Sequence, residues 1–258
     1  MRRDFTFVAV EADWPDCYGV NCSVTGARGA PGDPRSVLAG FHRWPTWMWS
    51  NEQVAEFTRW LLHHNVALPA DERVGFYGLD VYSLWDSLRR IMDYLKVHQP
   101  DHLETALQAW RCFESYAEDP QRYARSLRIV PTGCAEEVVG ILAELRAQQP
   151  TPAGDHADAR FDAEQNARAA AGAEGFYRAM IGGGPDSWNI RDCHMADTLD
   201  RLLQYRSAPG RPAKAVVWEH NTHVGDARFT DMADAGMVNV GQLARRPCSS
   251  FRRINRGG

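Results

Sequence analysis

Three short apolar runs interrupt a sequence otherwise patterned for helix. FTFVAVEA, from Phe5, is nearly continuous in apolar, β-branched and aromatic residues, as a strand covered on both faces should be. RVGFYGLD, from Arg73 to Asp80, is a second such run, and KAVVWEH, from Lys214 to His220, is a third, entered through the breaker-rich SAPGRPA. Between them the periodicity changes to that of helix. SNEQVAEFTRWLLHH predicts a helix from about Asn51 to His64, with Ser50 as N-cap and Gln53 at capping-box spacing. SLWDSLRRIMDYLKVH places Leu84, Leu88, Ile91 and Leu95 on one core-facing stripe. DHLETALQAWRCFESYA and EEVVGILAELRAQQ follow, so the chain from Leu84 to Gln149 reads as wholly helical.

QQPTPAGDHADAR, from Gln148, is rich in breakers and small residues and predicts a surface loop. It is not read as a domain boundary, because the third strand lies beyond it and needs the first two as neighbours. RFDAEQNARAAAGAEGFYRAMI is a long Ala-rich helix stopped by Gly182, Gly183, Gly184 and Pro185, and SWNIRDCHMADTLDRLLQY begins another. Distant strands joined by helices predict an α/β fold with a small, mostly parallel sheet and a large helical portion.

Composition narrows the function classes. The 258 residues are 44% apolar, enough for a substantial core, and the net charge of −4 supplies no basic field for nucleic acid or an anionic membrane. No apolar run approaches the roughly 20 residues that span a bilayer, and the start MRRDFTFVAVEADW is too short in apolar residues for a secretory signal, which predicts a cytoplasmic protein. The six cysteines, Cys17, Cys22, Cys112, Cys134, Cys193 and Cys248, are scattered with no Cys-x-x-Cys pair, and reduced thiols are expected. There is no Gly-x-Ser-x-Gly elbow, no Walker-type loop and no dinucleotide fingerprint after a strand, so the serine hydrolase, nucleotide hydrolase and dehydrogenase readings fall. No cofactor is expected.

Polar side chains at the carboxyl ends of strands in an open α/β sheet face the crevice where ligands bind. The first run ends at Glu11 and Asp13, the second at Asp80, the third at Glu219, His220 and His223. An imidazole with a carboxylate is a minimal kit for activating water. His220, His223, Glu11 and Asp80 are also donors that suit a divalent metal, and spacing does not choose between these. The plainer alternatives are a structural His-x-x-His, helix-terminal charge at Glu11 and Asp13 before Pro15, and a capping ion pair for Arg191 and Asp192. Arg191 can instead hold a substrate oxygen, and Trp44, Trp47 and Trp49 in HRWPTWMWSN can wall an apolar ligand.

FVAVEADWPDCYGVN, GFYGLDVYSLWDSL, EQNARAAAGAEGFYRAMI, SWNIRDCHMADTL and VVWEHNTHVGDAR, in that order, resemble the erythromycin esterase family, from about Phe5 to Arg245. The resemblance implies an α/β core with a deep cleft, in which members open macrolide lactones by activating a water. It implies that Glu11 is a catalytic or water-orienting carboxylate and that His220 of the His-Asn-x-His motif, with His223 beside it, is a base or transition-state stabiliser. On this reading His220 takes a proton from water, Glu11 orients the ring or the water, and Arg191 or His223 steadies charge on the carbonyl oxygen; Arg191, Asp80, Trp14 and Trp47 are the substrate-binding candidates. The partner is then a small-molecule ester or lactone. The family's earlier strand and its Gly-Glu-x-x-His-Gly motif normally precede the segment matching Phe5, where this sequence has Met1 to Asp4, and RRPCSSFRRINRGG stands where the family continues with a strand. A single domain over residues 1–246, a non-family tail over 247–258 and weak or absent hydrolysis are therefore expected, with a non-catalytic ligand-binding remnant and a metal-dependent hydrolase as alternatives.

Overall fold

The computed structural model describes residues 4–43, 46–116, 118–130, 132–147 and 155–245. The three expected strands form: β1 (Phe7–Asp13), β2 (Gly75–Asp80) and β3 (Ala215–Trp218). They make one parallel sheet in the order β2-β1-β3, with Phe7 in register with both Gly75 and Ala215. Parallel neighbours need long crossovers. The first is α1 (Trp14–Thr25), α2 (Pro34–Leu38), α3 (Thr46–Trp49) and α4 (Glu52–Val66). The second is α5 (Leu84–His98), α6 (Leu103–Glu114), α7 (Pro120–Ser126), α8 (Ala135–Ala147), α9 (Asp155–Met180) and α10 (Asp186–Arg206). After β3 come α11 (Asn221–Val224) and α12 (Val240–Ala244).

The chain divides into two compact units, one running to Ser83 and including Thr198–Trp218, the other comprising Leu84–Asp197 and the residues from Glu219. In the first, every residue of β1 is buried, which is why its sequence is apolar without alternation. Val8, Val10 and Phe76 meet Val20 and Val24 of α1 and Val54 and Leu61 of α4 on one face of the sheet. On Tyr77 of β2 Trp14 stacks at 5.6 Å, and Tyr18 stacks on Trp14 at 5.9 Å.

Two glycines mark where backbones touch. At Gly78 a Cβ would stand 2.3 Å from the Ala12 carbonyl and 2.5 Å from that of Asp13, because β1 breaks register between Val10 and Asp13 and swings across β2. At Gly241 a Cβ would stand 2.0 Å from the Gly225 carbonyl, so α12 lies directly on the end of α11.

In the second unit the predicted stripe of Leu84, Leu88, Ile91 and Leu95 is buried, and α5 packs on α9, whose Ala163, Ala167, Ala170 and Ala173 are buried as well. Small side chains on α9 let α5, α7 and α8 all pack against it. Asp155 to Arg160, expected in a loop, belong to α9; an acidic first residue suits a helix N-terminus, while residues 148–154 lie outside the described segments. The α4 cap is Asn51 rather than Ser50: its Oδ1 accepts from Val54 N–H at 2.9 Å, while its Nδ2 donates to Trp47 and Met48 carbonyls. The extra bonds to α3 favour the asparagine. No helix among the described residues is long and apolar enough to cross a membrane.

The cysteines overturn one expectation. Cys112 of α6 and Cys134 before α8 form a disulfide across 22 residues, with Cα atoms 5.9 Å apart. Sequence spacing conceals the pair because α7 folds the chain back between them. Closing a loop of this length should contribute about 3 kcal/mol by restricting the unfolded chain. Cys112→Ser and addition of a reductant should each lower the urea midpoint of unfolding, and neither should lower it further in the presence of the other; unchanged midpoints would show the sulfurs to be unbonded.

Candidate functional site

The sheet brings acidic side chains to its carboxyl end. Asp13 and Asp80 are register partners, and Glu11, Asp13 and Asp80 are all buried at the end of the sheet where the β1 backbone crosses Gly78. A cavity of about 20 Å³ lies among Glu11, Asp13, Asp80, Tyr82, Arg43 and Trp49, which is room for one water. Asp13 accepts from the Tyr82 N–H at 2.7 Å, and Asp80 accepts from the Val81 N–H at 2.9 Å. The Trp49 Nε1–H donates to the Glu11 carbonyl at 2.6 Å and so holds the backbone at that residue.

Arg43 holds this acidity together. Its guanidinium pairs with both Asp13 and Asp16, and these partners keep it charged against the opposing effect of burial. Asp13 is pushed up to about 6, first by burial and then, against the pull of Arg43, by the charges of Asp80 and Asp16. Burial also drives the Cys17 thiol well above its ordinary range, which removes it as a nucleophile.

In the second unit His223 lies in a buried polar array. Its Nδ1 is 2.9 Å from Asp192 Oδ1, its Nε2 is 3.1 Å from Arg191 Nη1, and its ring stacks on Trp188 at 4.7 Å and 5°. A guanidinium can only donate, so Nε2 accepts and the neutral ring carries its proton on Nδ1, facing the carboxylate. Asp192 also accepts from the Val240 N–H at 3.0 Å; burial raises its pKa, and the bond and charge of His223 oppose that rise. Arg191 and Asp192 are thus in the body of α10, not at its cap, because α11 and α12 fold against them. The fold around the array is secured by Trp188 Nε1, which donates to the Val238 carbonyl at 2.7 Å, and by Asn239, which caps α12 and donates to the Thr222 carbonyl at 2.8 Å.

The remaining candidates are placed differently. His220 is the exposed N-cap of α11, with Nδ1 2.9 Å from the Thr222 hydroxyl. Trp14 is 1% exposed within the aromatic stack on Tyr77, and Trp47 is 63% exposed on α3. Among the described residues no group of three or more His, Cys, Asp or Glu is arranged to hold a metal ion. Arg43, Asp16, Trp188 and the pairing role of Asp192 went unseen in the sequence. Arg43 stands beside three tryptophans that drew attention instead, and an Arg-Asp pair followed by a distant His is too common a combination to single out.

The profile of the erythromycin esterase family matches residues 1–249. The chain belongs to the erythromycin esterase family. Solved structures share its fold. One described as a succinoglycan biosynthesis protein is 18% identical with a TM-score of 0.72, the match covering 97% of this chain and 57% of that one. A protein from Bacillus cereus is 16% identical with a TM-score of 0.72, covering 94% and 55%. A mutant of the erythromycin esterase EreC in its open conformation is 14% identical with a TM-score of 0.68, covering 95% and 60%. The chain thus spans little more than half the length of these structures.

The raised Asp13 couples stability of this family member to pH. The folded carboxyl holds its proton more tightly than the unfolded one, whose ordinary value is 3.8, so its contribution is complete below that value and is lost as pH rises through about 6. The loss should amount to about 3 kcal/mol. Urea unfolding at pH 4 and pH 7.5 should show this component in the wild type and not in Asp13→Asn; the same pH dependence in both proteins would refute it.

Proposed function

We propose that the chain is a hydrolase scaffold of the erythromycin esterase type, acting on a carboxylic ester or lactone through an activated water. The observation that carries this is the buried Arg191–His223–Asp192 array. Burying three ionisable groups costs several kcal/mol that an apolar cluster would avoid, and such arrays are concentrated at functional sites. The one-water cavity beside Glu11 supports the same reading from the other unit.

In the proposed reaction water oxygen bonds to the carbonyl carbon and the water proton passes to a base. His220, the exposed cap of α11, is assigned that task. Glu11 is proposed as a water-orienting carboxylate in its own cavity. Arg191, with His223 fixing its direction, stabilises the negative oxygen of the tetrahedral intermediate. Collapse breaks the acyl carbon–oxygen bond, and the proton returns to the departing alkoxide. Asp80 and Trp47 are proposed to contact substrate; Trp14, the other substrate-binding candidate, is enclosed in the aromatic stack on Tyr77 and is given no such contact. Macrolide lactones are the first substrate class to test, given the family.

A second reading, ligand binding without turnover, is favoured by one observation: both nitrogens of His223 are already engaged, by Asp192 and Arg191. A panel of lactones and simple esters separates the two. Hydrolysis should be detectable and should fall about 100-fold or more in kcat/KM in His220→Ala, Glu11→Gln and Arg191→Ala. Saturable binding without product supports the second reading, and hydrolysis at equal rates in the wild type and all three variants overturns the proposed roles.

A further inference from the structure

We propose that Asp192 is a positioning residue, which aims Arg191 by fixing the tautomer of the His223 ring that stands between them. What Arg191 then acts on, a carbonyl oxygen, rests on the hydrolase reading above; how Arg191 is aimed rests on the array alone. Asp192 Oδ1 lies 2.9 Å from His223 Nδ1, and His223 Nε2 lies 3.1 Å from Arg191 Nη1. A guanidinium only donates, so Nε2 has to accept and Nδ1 has to carry the proton. Were the proton on Nε2, or on both nitrogens, two N–H groups would face each other and the guanidinium would turn away.

The oxygen behind Nδ1 is what keeps the proton there. Oδ1 also accepts from the Val240 N–H at 3.0 Å, so it remains an acceptor whatever the charge on the carboxyl. Among the described residues Oδ2 has no hydrogen-bond partner, so the bonds of this buried side chain all run through the oxygen behind the ring. Burying a carboxylate with one oxygen unbonded is costly, which sets the position apart from an ordinary structural bridge. The ring has no way to compensate for a lost acceptor. Trp188 stacks on it at 4.7 Å and 5°, and a ring turned over in that plane would offer carbon to both polar partners.

Asp192 is held in turn by the chain before α12. Side chains from one turn of α10 bind alternate residues of that segment: Asn189 Nδ2 donates to the Gly236 carbonyl at 2.9 Å, its Oδ1 accepts from the Val238 N–H at 2.9 Å, and Trp188 Nε1 donates to the Val238 carbonyl. The next residue in the alternation is Val240, whose N–H meets Asp192. These bonds set where the Val240 N–H stands, and that N–H sets which atom of residue 192 faces the ring. The polarity of the array is thus imposed from a backbone group that cannot change its own sense.

The test separates the acceptor from its charge. In Asp192→Asn the Val240 N–H should keep the amide oxygen behind the ring, so the tautomer should persist while kcat falls about tenfold. Asp192→Leu removes the acceptor; it should release the tautomer and lower kcat about 100-fold with little change in KM. Its loss and that of Arg191→Ala should not add in the double variant, because one acts through the other. Nitrogen-15 spectra of the His223 ring near neutral pH read the tautomer without any turnover, and circular dichroism confirms each fold. Should Asp192→Leu fail to fold, the wild type and Asp192→Asn still decide. A wild-type ring protonated on Nε2, or on both nitrogens, overturns the proposal, as do additive losses or a folded Asp192→Leu that keeps the wild-type tautomer. The expected spectra in a chain that hydrolyses no ester support the aiming of Arg191 and count against the hydrolase reading alone.

Discussion

The fold rests on β1 being covered on both faces and paired along both edges. Its seven buried residues pair with both β2 and β3, so the position of each outer strand is defined by its register with β1. The same strand then breaks register before Asp13 and crosses Gly78, where no side chain fits. That crossing brings Glu11 and Asp13 to the carboxyl end beside Asp80. In an unbroken register Ala12 would stand opposite Asp80; the extra residue at the break is what puts Asp13 there instead.

Gathering carboxylates in a buried place raises their energy, and the two units answer this in different ways. Around Asp13 the answer is one guanidinium shared between Asp13 and Asp16, which leaves Asp13 still pushed up because Asp80 adds to the repulsion and burial outweighs both. Around Asp192 the answer is hydrogen bonding: a fixed imidazole N–H and the Val240 N–H both donate to one oxygen. The first arrangement yields a carboxyl that titrates near neutrality. The second yields a ring whose tautomer and direction are set.

Much of the fold was legible because burial on both faces writes itself as an uninterrupted apolar run. β1 and β2, the stripe of α5 and the breaks that end α9 were all visible for that reason. β3 was visible as a strand but not as an edge: KAVVWEH looks as apolar as a central strand, and its alternate half-buried and exposed residues emerge only once the sheet order is known. The Cys112–Cys134 pair was hidden because pairing depends on where helices turn. Of the candidate site, the acids at strand ends were legible from position alone. Arg43, Trp188 and the bond between Asp192 and His223 were not, since they depend on which segments pack side by side rather than on any local pattern.

The two histidines of His-Asn-x-His show how far a motif can specify a site. Separated by three residues, they would share a face in a long helix. Here α11 is a single turn, and His220 is its cap, with extended backbone, while His223 is inside it. The cap residue turns its ring back toward Thr222 and stays exposed. The inner residue is driven into the protein because α12 lies on the end of the turn, at a distance only Gly241 permits, and because Trp188, Arg191 and Asp192 of α10 receive the ring. One ring is therefore open to solvent, and the other is committed to a fixed network. A side chain added at Gly241 would push α12 away from α11, withdrawing the Val240 N–H from Asp192 and loosening the buried ring while leaving the exposed one capped. The division of labour between the pair is thus a property of a glycine almost twenty residues further along the chain.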